Sequence, residues 1–438
     1  MHSTNNSSTF TVALTSQQAR GSRGTSRLLA LVGIFCLVAA ADVQAARHRV
    51  GPGREFTTLE AAINGNTWGP GDTIELDPGN FAVSEMLRPL GSGSSGAPIV
   101  VRGAGMGMTT VSGEALSNSK ALWDVEQGNR WWVFEDLTVA HMRGAQTNAR
   151  GFFLVGCEDV VVQRCEVTDC WNGFMSASGA TRVTVQYCDI HHCGGIQGPA
   201  HNMYMSGGSD FVIQYNWIHD AQYGTCYKDR THNLRLQYNR IENAAIEGYE
   251  VSLAGDGSGD QGNTLLLGNV IVKSTSSSQY THFVRFEDGR AGTLTLLYNT
   301  LIGRSNGVLV SSIASQTTMH NNILYGGATV FSGTALTGTN NWLVTGRTVT
   351  GLVSSVQSAS PLFVDAANGD YHLATGSVCI DAANAGVSPF PVFEWRPLPG
   401  AAPRAVVGSG PDIGAFEATT GGTAVQEVRW GALKARYR

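Results

Sequence analysis

Short apolar segments of similar sequence recur along the chain between residues 160 and 345. In each segment apolar residues alternate for a few positions, then a Cys or Asn follows, and then one or two further apolar residues. The segments are VVVQRCEV, VTVQYCDI, FVIQYNWI, LRLQYNRI, LLLGNVI, LTLLYNTL and MHNNIL. Alternation with a period of two predicts β-strands, and no helical period of 3.6 residues separates one segment from the next.

The aligned Cys and Asn residues recur every 23 to 30 residues from Cys165 to Asn322, and Asn341 extends the series 19 residues later; we call them the Cys/Asn column. Its members are Cys165, Cys188, Asn216, Asn239, Asn269, Asn299, Asn322 and Asn341. One strand segment and one bend per repeat predict parallel strands stacked about 4.8 Å apart. Stacked Asn amides can hydrogen-bond to one another, and Asn tolerates the left-handed backbone of a sharp bend. A β-propeller would need a period of about 40–50 residues, so the column predicts an all-β, single-stranded right-handed parallel β-helix.

The chain ends are predicted to differ from this domain. Residues 1–45 have the features of a signal peptide: three Arg, then the apolar run at 28–41, then small residues before a cleavage site. We therefore expect a protein that is secreted or periplasmic. Residues 46–417 are predicted to form the β-helix, with a short capping helix at 57–64 and a closing segment containing DYHL and PDIGAFE. Residues 418–438 are predicted to be a loosely ordered tail.

Charge narrows the choice of partners. Removing residues 1–45 takes away three Arg and one Asp, which changes the formal net charge from −5 to −7. That balance argues against nucleic acid as a partner. No later stretch is apolar enough to span a bilayer, and we expect the mature chain to be a monomer that binds a polysaccharide.

Several motifs, together with the column, resemble the pectate-lyase-like superfamily of bacterial exported β-helix proteins. They are the opening VGPGREFTTLEAAI and GDTIEL and the closing DYHL and DIGAFE, and the resemblance covers residues 50–417. It implies the β-helix fold and a substrate groove along one strand face. Because the superfamily includes lyases, hydrolases, epimerases and non-catalytic proteins, it does not imply one activity.

The strands that correspond to that groove are NGFMSAS, HNMYMSG, GTCYKDR, GYEVSL and HFVRFED. Alternation predicts which side chains point outward on them. The outward set on three repeats is predicted to be Cys226, Lys228, Arg230, Glu250, Ser252, Arg285 and Glu287. One repeat earlier, the outward set is predicted to be His201, Met203 and Met205.

Such a cluster suits cleavage of an acidic, uronate-containing polysaccharide by β-elimination, which needs a base, a cation beside the uronate carboxylate and an acid. Lys228 is the predicted base, with Arg230 lowering its pKa and Tyr249 as a further catalytic residue. The predicted substrate-binding residues are His201, Tyr204 and Arg285, and Tyr204 or His201 is an alternative acid. Glu250 and Glu287 are predicted to bind Ca²⁺.

The segment YKDRTHNLRLQYN also resembles the Lys-bearing coil of the chondroitinase-B and alginate-lyase group. In that group a Lys acts as base, an Arg on the next coil assists it, and Ca²⁺ lies nearby. Lys228 matches the base. Tyr249 and Glu250 stand where the assisting Arg is expected, so the sequence departs from the pattern there.

Two other functions stay open. A glycoside hydrolase needs two carboxylates, and the candidates are Asp229 with Glu250 or Glu250 with Glu287. The paired-Asp motif of polygalacturonases is absent. The other alternative is that the protein is non-catalytic and binds or adheres to glycans.

Seven Cys remain after the predicted signal peptide, an odd number. Cys170 and Cys193 each lie five residues after a column position, which predicts that they are stacked and joined by a disulfide. Cys165 and Cys188 are equally compatible with packed, reduced thiols. His191 and His192 form a possible metal pair, but adjacent residues in an extended chain point apart, so we interpret them as structural.

Overall fold

The computed structural model describes residues 45–116, 121–143, 149–195, 200–244, 248–273, 282–303, 307–397 and 401–418. The predicted signal peptide up to residue 44 and the predicted tail from residue 419 lie outside the described residues. None of the helices within these ranges is long or apolar enough to cross a membrane.

As predicted, the described chain winds as a right-handed parallel β-helix. Its coils contribute strands to three parallel sheets. Sheet 1 contains Arg47–Val50, Thr73–Leu76, Ile99–Arg102, Trp132–Glu135, Val161–Gln163, Thr184–Gln186, Val212–Gln214, Arg235–Gln237, Asp260–Leu267, Ala291–Leu297, Gln316–His320, Leu336–Thr339 and Leu352–Val353. Sheet 2 contains Gly79–Ala82, Thr109–Ser112, Thr138–Ala140, Glu166–Thr168, Asp189–His191, Trp217–His219, Arg240–Glu242, Val270–Lys273, Thr300–Gly303, Ile323–Tyr325, Trp342–Val344 and Val356–Ser358. Sheet 3 contains Ala121–Val125, Arg150–Leu154, Asn172–Ser176, Met203–Met205, Tyr227–Asp229, Val251–Ala254, His282–Glu287, Val308–Ser312 and Thr329–Gly333.

Equivalent residues of consecutive coils pair in register, so identical positions stack into ladders. On sheet 1 one inward ladder consists of Val162, Val185, Ile213, Leu236, Leu266 and Leu296. On sheet 3 the rings of Trp123, Phe152 and Phe174 stack in the interior, with 13° between neighbouring planes. These inward side chains are fully buried and form one continuous core along the helix. The core is built from the apolar members of the alternating pattern.

The Cys/Asn column forms a hydrogen-bonded ladder at the bend between sheets 1 and 2. Asn239 is representative: its Nδ2 donates to Asn269 Oδ1 at 3.0 Å and to the Ile213 carbonyl at 2.9 Å. Its backbone N–H also donates to Asn269 Oδ1, at 3.0 Å. The same arrangement continues through Asn341, and every Asn of the ladder is fully buried. The predicted amide stacking is confirmed.

The left-handed residue of each bend precedes the column, which corrects the expectation that Asn itself adopts that conformation. Tyr215, Tyr238 and Tyr298 have φ of 58°, 56° and 54°. The rings of Tyr215 and Tyr238 stack with centroids 5.3 Å apart. Ring stacking against the next coil offsets the cost of a left-handed backbone in a residue that has a Cβ.

The predicted capping helix is present as Leu59–Ile63. Thr58 caps its N-terminus, since the hydroxyl accepts a hydrogen bond from the backbone N–H of Ala61 at 3.2 Å. Leu59, Ala62 and Ile63 are buried in the main core. The helix therefore covers apolar surface at the first coils.

The C-terminal segment lies along the outer face of sheet 2, a position that the sequence did not predict for the closing motifs. It contains the 3₁₀ helix Ala366–Asn368 and two antiparallel strand pairs. The pairs are Phe363–Asp365 with Asp370–Leu373 and Phe393–Trp395 with Ala401–Pro403. Tyr371 and Phe416 pack on the outward residues Val270, Val272 and Ile302. Those strands are apolar on both faces because the segment covers the outer one.

The predicted Cys170–Cys193 disulfide is wrong in this structure: all seven cysteines of the described chain are free and buried. Cys170 and Cys193 do lie on consecutive coils, and their thiols face the backbone carbonyls of Thr168 and His191. In-register stacking holds equivalent Cβ atoms about 4.8 Å apart with parallel directions, whereas a disulfide needs about 3.8 Å.

We predict that Asn269→Ala destabilises the protein by about 3 kcal/mol, because it leaves buried donors and acceptors on two neighbouring coils without partners. Denaturant unfolding followed by circular dichroism measures this free energy. Asn80→Ala is the control, since Asn80 is an exposed strand residue whose amide contacts only Glu114 among the bonds described. Equal stabilities of the two variants would contradict the role given to the column.

Candidate functional site

Lys228 points outward because the residues on either side of it are fixed inside the β-helix. The Tyr227 hydroxyl donates to Asp229 at 2.8 Å, and both residues are fully buried. Arg290, also buried, donates from Nη1 to Asp229 Oδ1 at 2.9 Å. A strand anchored by its first and third residues must direct its second to the other face. The predicted outward orientation of Lys228 is confirmed.

An outward ladder on sheet 3 places Lys228 in line with residues of the neighbouring coils. Tyr204 pairs in register with Lys228, Lys228 with Ser252, and Ser252 with Arg285. Ser311 continues the ladder beyond Arg285. We call the outward group of Tyr204, Lys228, Arg230, Tyr249, Arg285 and Glu287 the Lys228 surface.

Lys228 lies half-buried against aromatic and cationic neighbours. Its Nζ is 4.9 Å from the centroid of the Tyr204 ring. Burial lowers the pKa of Lys228 below its usual value, and the positive charges of Arg230 and Arg285 lower it further, while Asp288 opposes them. A lysine with a lowered pKa is neutral in a larger fraction of molecules and can accept a proton.

Arg285 is held by two carboxylates and a ring. Its Nε donates to Glu287 at 2.8 Å, and Nη1 and Nη2 donate to the two oxygens of Asp288 at 2.7 and 2.9 Å. Its guanidinium carbon is 5.1 Å from the centroid of the Tyr249 ring. Arg285 and Glu287 lie together as predicted, and Tyr249, which was not predicted to share this face, joins them. These contacts occupy much of the donor capacity of Arg285.

Arg230 has guanidinium N–H groups that make no hydrogen bond to the described residues. Its Nη1 donates to the carbonyl of Gly255, whereas its buried Nε has no hydrogen-bond partner among the described residues. Arg230 is also one of the charges that lower the pKa of Lys228. Because Nε is enclosed by protein, the part of Arg230 that can meet an anionic group beside Lys228 is Nη2, which makes no hydrogen bond to the described residues.

The coil before Lys228 differs from the prediction. Met203 and Met205 point inward and are fully buried, because they pair in register with the inward residues Tyr227 and Asp229. His201 is also buried, and its Nδ1 accepts the backbone N–H of Thr225 at 3.0 Å. Burial and the charges of Lys228 and Arg230 lower the pKa of His201 to about 3. His201 is thus a neutral imidazole with its proton on Nε2.

Glu250 and Cys226 were predicted to face outward, and both are fully buried instead. Each precedes its sheet 3 strand at the corner between sheets 2 and 3, where the alternation of the strand does not yet apply. Glu250 Oε2 accepts from Lys273 Nζ at 3.0 Å, and Lys273 also donates to the Gly248 carbonyl. Burial raises the pKa of Glu250 to about 7 against the opposing effect of Lys273.

The arrangement does not fit the Ca²⁺ site that was expected from Glu250 and Glu287. Glu250 is buried in its ion pair with Lys273. Glu287 accepts from the Ser311 hydroxyl and from Arg285, so both of its oxygens have partners. Two carboxylates in different environments do not supply the clustered oxygen ligands that Ca²⁺ requires.

The same contacts weaken the hydrolase alternative. Both of its carboxylate pairs contain Glu250, which has no exposed surface. Asp229, the partner in one pair, is enclosed by Tyr227, Thr231 and Arg290. A glycosidase needs both carboxylates beside the scissile bond.

Sequence reasoning missed three charged residues around the surface. Lys273 lies two residues after the inward Ile271 on the same strand, so it points to the same side, and its burial could have been inferred from alternation. Asp288 lies in an Asp-Gly turn directly after a strand, which is a turn signal. Arg290 carries no comparable signal, since its role depends on Asp229 two coils away.

Comparisons with known proteins agree with this fold. A family model described as a right-handed β-helix region matches residues 99–271. No curated protein matches the sequence significantly. Among solved structures, the pectate lyase Pel9A has 15% sequence identity over 86% of this chain and 98% of its own, with a TM-score of 0.57. At that identity the likeness shows the fold alone.

Two further structures are similar over less of the chain. The GH136 lacto-N-biosidase from Eubacterium ramulus has 11% identity over 71% of this chain and 67% of its own, with a TM-score of 0.48. The PL6 family polysaccharide lyase Pedsa3628 from Pseudopedobacter saltans has 14% identity over 71% and 87%, with a TM-score of 0.40.

We predict that Lys273→Met destabilises the protein by about 3 kcal/mol at pH 8, because it leaves a buried carboxylate without its counter-ion. The pKa of Glu250 is already raised to about 7, so the group is protonated and neutral below that pH. The loss should therefore be much smaller at pH 5. Denaturant unfolding at both pH values measures it.

Arg235→Met is the matched control for Lys273→Met. Arg235 is an exposed cation on sheet 1, and its loss should change stability by less than about 0.5 kcal/mol at either pH. A Lys273→Met penalty that is the same at pH 5 and pH 8 would contradict the coupling to Glu250.

Proposed function

We propose that this protein is a polysaccharide lyase that cleaves an acidic, uronate-containing polysaccharide by β-elimination. The observation that carries the proposal is the position of Lys228: outward on sheet 3, beside Tyr204, with a pKa lowered by burial, Arg230 and Arg285. The likeness in fold to the pectate lyase Pel9A supports the proposal. Export by the predicted signal peptide would bring the enzyme to polysaccharides.

In the proposed reaction the neutral Lys228 amine removes the proton from the carbon next to the uronate carboxylate. Arg230 neutralises that carboxylate and the negative charge that develops on it through Nη2, which makes no hydrogen bond to the described residues. The bond from the neighbouring carbon to the glycosidic oxygen breaks, and a carbon–carbon double bond forms. Tyr249, or Tyr204 beside Lys228, donates a proton to the leaving oxygen.

The remaining residues of the surface position these groups. Glu287 and Asp288 fix Arg285, and Arg285 in turn lies over the ring of Tyr249. Arg285 then binds substrate only by exchanging one of these carboxylates for a substrate carboxylate. His201 packs edge-on against Tyr204, with the two ring centroids 5.3 Å apart, and so supports the position of that ring.

A screen against alginate, pectate, chondroitin and heparin-like polymers tests the proposal, with and without a chelator. A lyase produces an unsaturated product with new ultraviolet absorbance. Reducing ends without that absorbance would instead indicate a hydrolase, and retention on a glycan column without any product would indicate a binding protein. Either result would overturn the lyase assignment.

We predict that Lys228→Ala and Lys228→Arg both lower the elimination rate by about 10²- to 10⁴-fold. Lys228→Arg keeps the positive charge but cannot supply a neutral base, so substrate binding should persist while the rate falls. Arg235→Ala, on the exposed face of sheet 1, is the control and should keep full activity. Full activity in Lys228→Arg would show that Lys228 is not the base.

We predict that Arg230→Gln moves the rising limb of the pH profile of kcat/KM to higher pH. Arg230 lowers the pKa of Lys228, so its removal raises that pKa and reduces the neutral fraction at a given pH. A shift of one pH unit would lower the rate on that limb by about tenfold. An unchanged limb would mean that Arg230 does not tune the base.

A further inference from the structure

A second polar cluster lies on the outer face of sheet 2, away from the Lys228 surface on sheet 3. Glu166 and Asp189 are paired in register on consecutive coils, and His191 follows two residues after Asp189. Val167 and Ile190, between them in the strands, are fully buried in the core. Alternation therefore places the two carboxylates and the imidazole together on the outer face.

The cluster is compact and shielded from solvent. His191 Nε2 lies 3.2 Å from Glu166 Oε1 and 4.0 Å from Asp189 Oδ2. One ligand atom from each residue lies within 4.8 Å of the other two. Glu166, Asp189 and His191 are 7%, 0% and 8% exposed. Two carboxylates at such close range repel each other, so a cation bound between them would be favourable.

Asp189 supplies an independent sign of a ligand-binding site. Its Oδ1 accepts from His219 Nε2 at 2.8 Å. Its Oδ2, which faces the imidazole of His191, is buried and has no hydrogen-bond partner among the described residues. A fully buried carboxylate oxygen without a partner is costly and calls for a specific reason.

We propose that Glu166, Asp189 and His191 form a binding site for one divalent transition-metal ion of the Zn²⁺ type. At metal–ligand distances of about 2.0–2.2 Å, adjacent ligand atoms lie about 3–3.5 Å apart, so small side-chain rotations would complete the set. Two carboxylates and a neutral imidazole balance the charge of a dication. The imidazole favours Zn²⁺ or a related ion over Ca²⁺ and Mg²⁺, which prefer oxygen ligands.

Neighbouring residues hold the three ligands in place, as is usual around metal sites. The Thr138 hydroxyl donates to Glu166 Oε2 at 2.9 Å. His219 orients Asp189, and its own Nδ1 lies 2.7 Å from Asp220 Oδ2. These contacts bind the oxygens that face away from the centre of the cluster.

His192 contributes to this arrangement in a way that the sequence did not predict. Its φ of 51° turns the chain at the end of the strand and brings its Nδ1 within 2.6 Å of His191 Nδ1. The two side chains do not point apart as in an extended chain. Because His191 uses Nδ1 for this contact, its Nε2 is directed to the carboxylates.

The test measures Zn²⁺ binding to the full chain, freed of metal with a chelator, by isothermal titration calorimetry and by the thermal unfolding midpoint. We expect one Zn²⁺ per chain and a midpoint that rises with Zn²⁺ concentration. Glu166→Gln and His191→Ala should each weaken Zn²⁺ binding by at least tenfold. Lys228→Ala should bind Zn²⁺ like the wild type, so the test is independent of the lyase proposal.

His48→Ala and Glu158→Gln are matched controls, because both residues lie in ion pairs near the surface and outside the cluster. They should leave Zn²⁺ binding unchanged. Co²⁺ substitution adds a second readout, since His191→Ala should alter the visible absorption of a nitrogen-ligated Co²⁺. The proposal is overturned if the wild type does not bind Zn²⁺ saturably, if Ca²⁺ binds more tightly than Zn²⁺, or if Glu166→Gln and His191→Ala bind like the wild type.

Discussion

The in-register stacking of coils, fixed by the Cys/Asn column, is the constraint on which the rest of the structure depends. The column amides from Asn216 to Asn322 each hydrogen-bond to the next coil and to a carbonyl of the one before it. A shift of one residue in any coil would break these bonds and would also move every strand side chain to the opposite face. The column therefore fixes the vertical alignment of three sheets at once. The inward aromatic stack and the outward ladders both follow from it.

This alignment explains how both candidate sites are assembled from residues far apart in sequence. Tyr204, Lys228 and Arg285 come from three different coils, yet they lie in line because the coils stack in register. Glu166 and Asp189 meet on sheet 2 for the same reason. In each case the chemistry comes from polar residues at outward positions, while their neighbours in the strand provide the burial that changes their properties.

The strands and the corners between them show which features the sequence pattern predicts and which it does not. Alternation and spacing correctly predicted the fold, the amide ladder and the outward position of Lys228. They failed at the corners between sheets 2 and 3, where Cys226 and Glu250 turn inward before the strand begins. They also failed for Cys170 and Cys193. These residues occupy equivalent positions on consecutive coils, but stacking holds their Cβ atoms farther apart than a disulfide requires. The partners of Asp229 and Asp189 depend on contacts between coils, which no local pattern contains.

The C-terminal segment, residues 363–418, is the last part of the described chain to pack onto the β-helix. Tyr371 and Phe416 cover Val270, Val272 and Ile302, and Arg240 donates to the carbonyl of Gly369. A β-helix can grow coil by coil as the chain is synthesised, because each coil needs only its neighbour. The apolar flank of the middle coils, however, cannot be covered until residues 363–418 have been synthesised. A nascent chain that stalls before this segment would expose that flank to other chains.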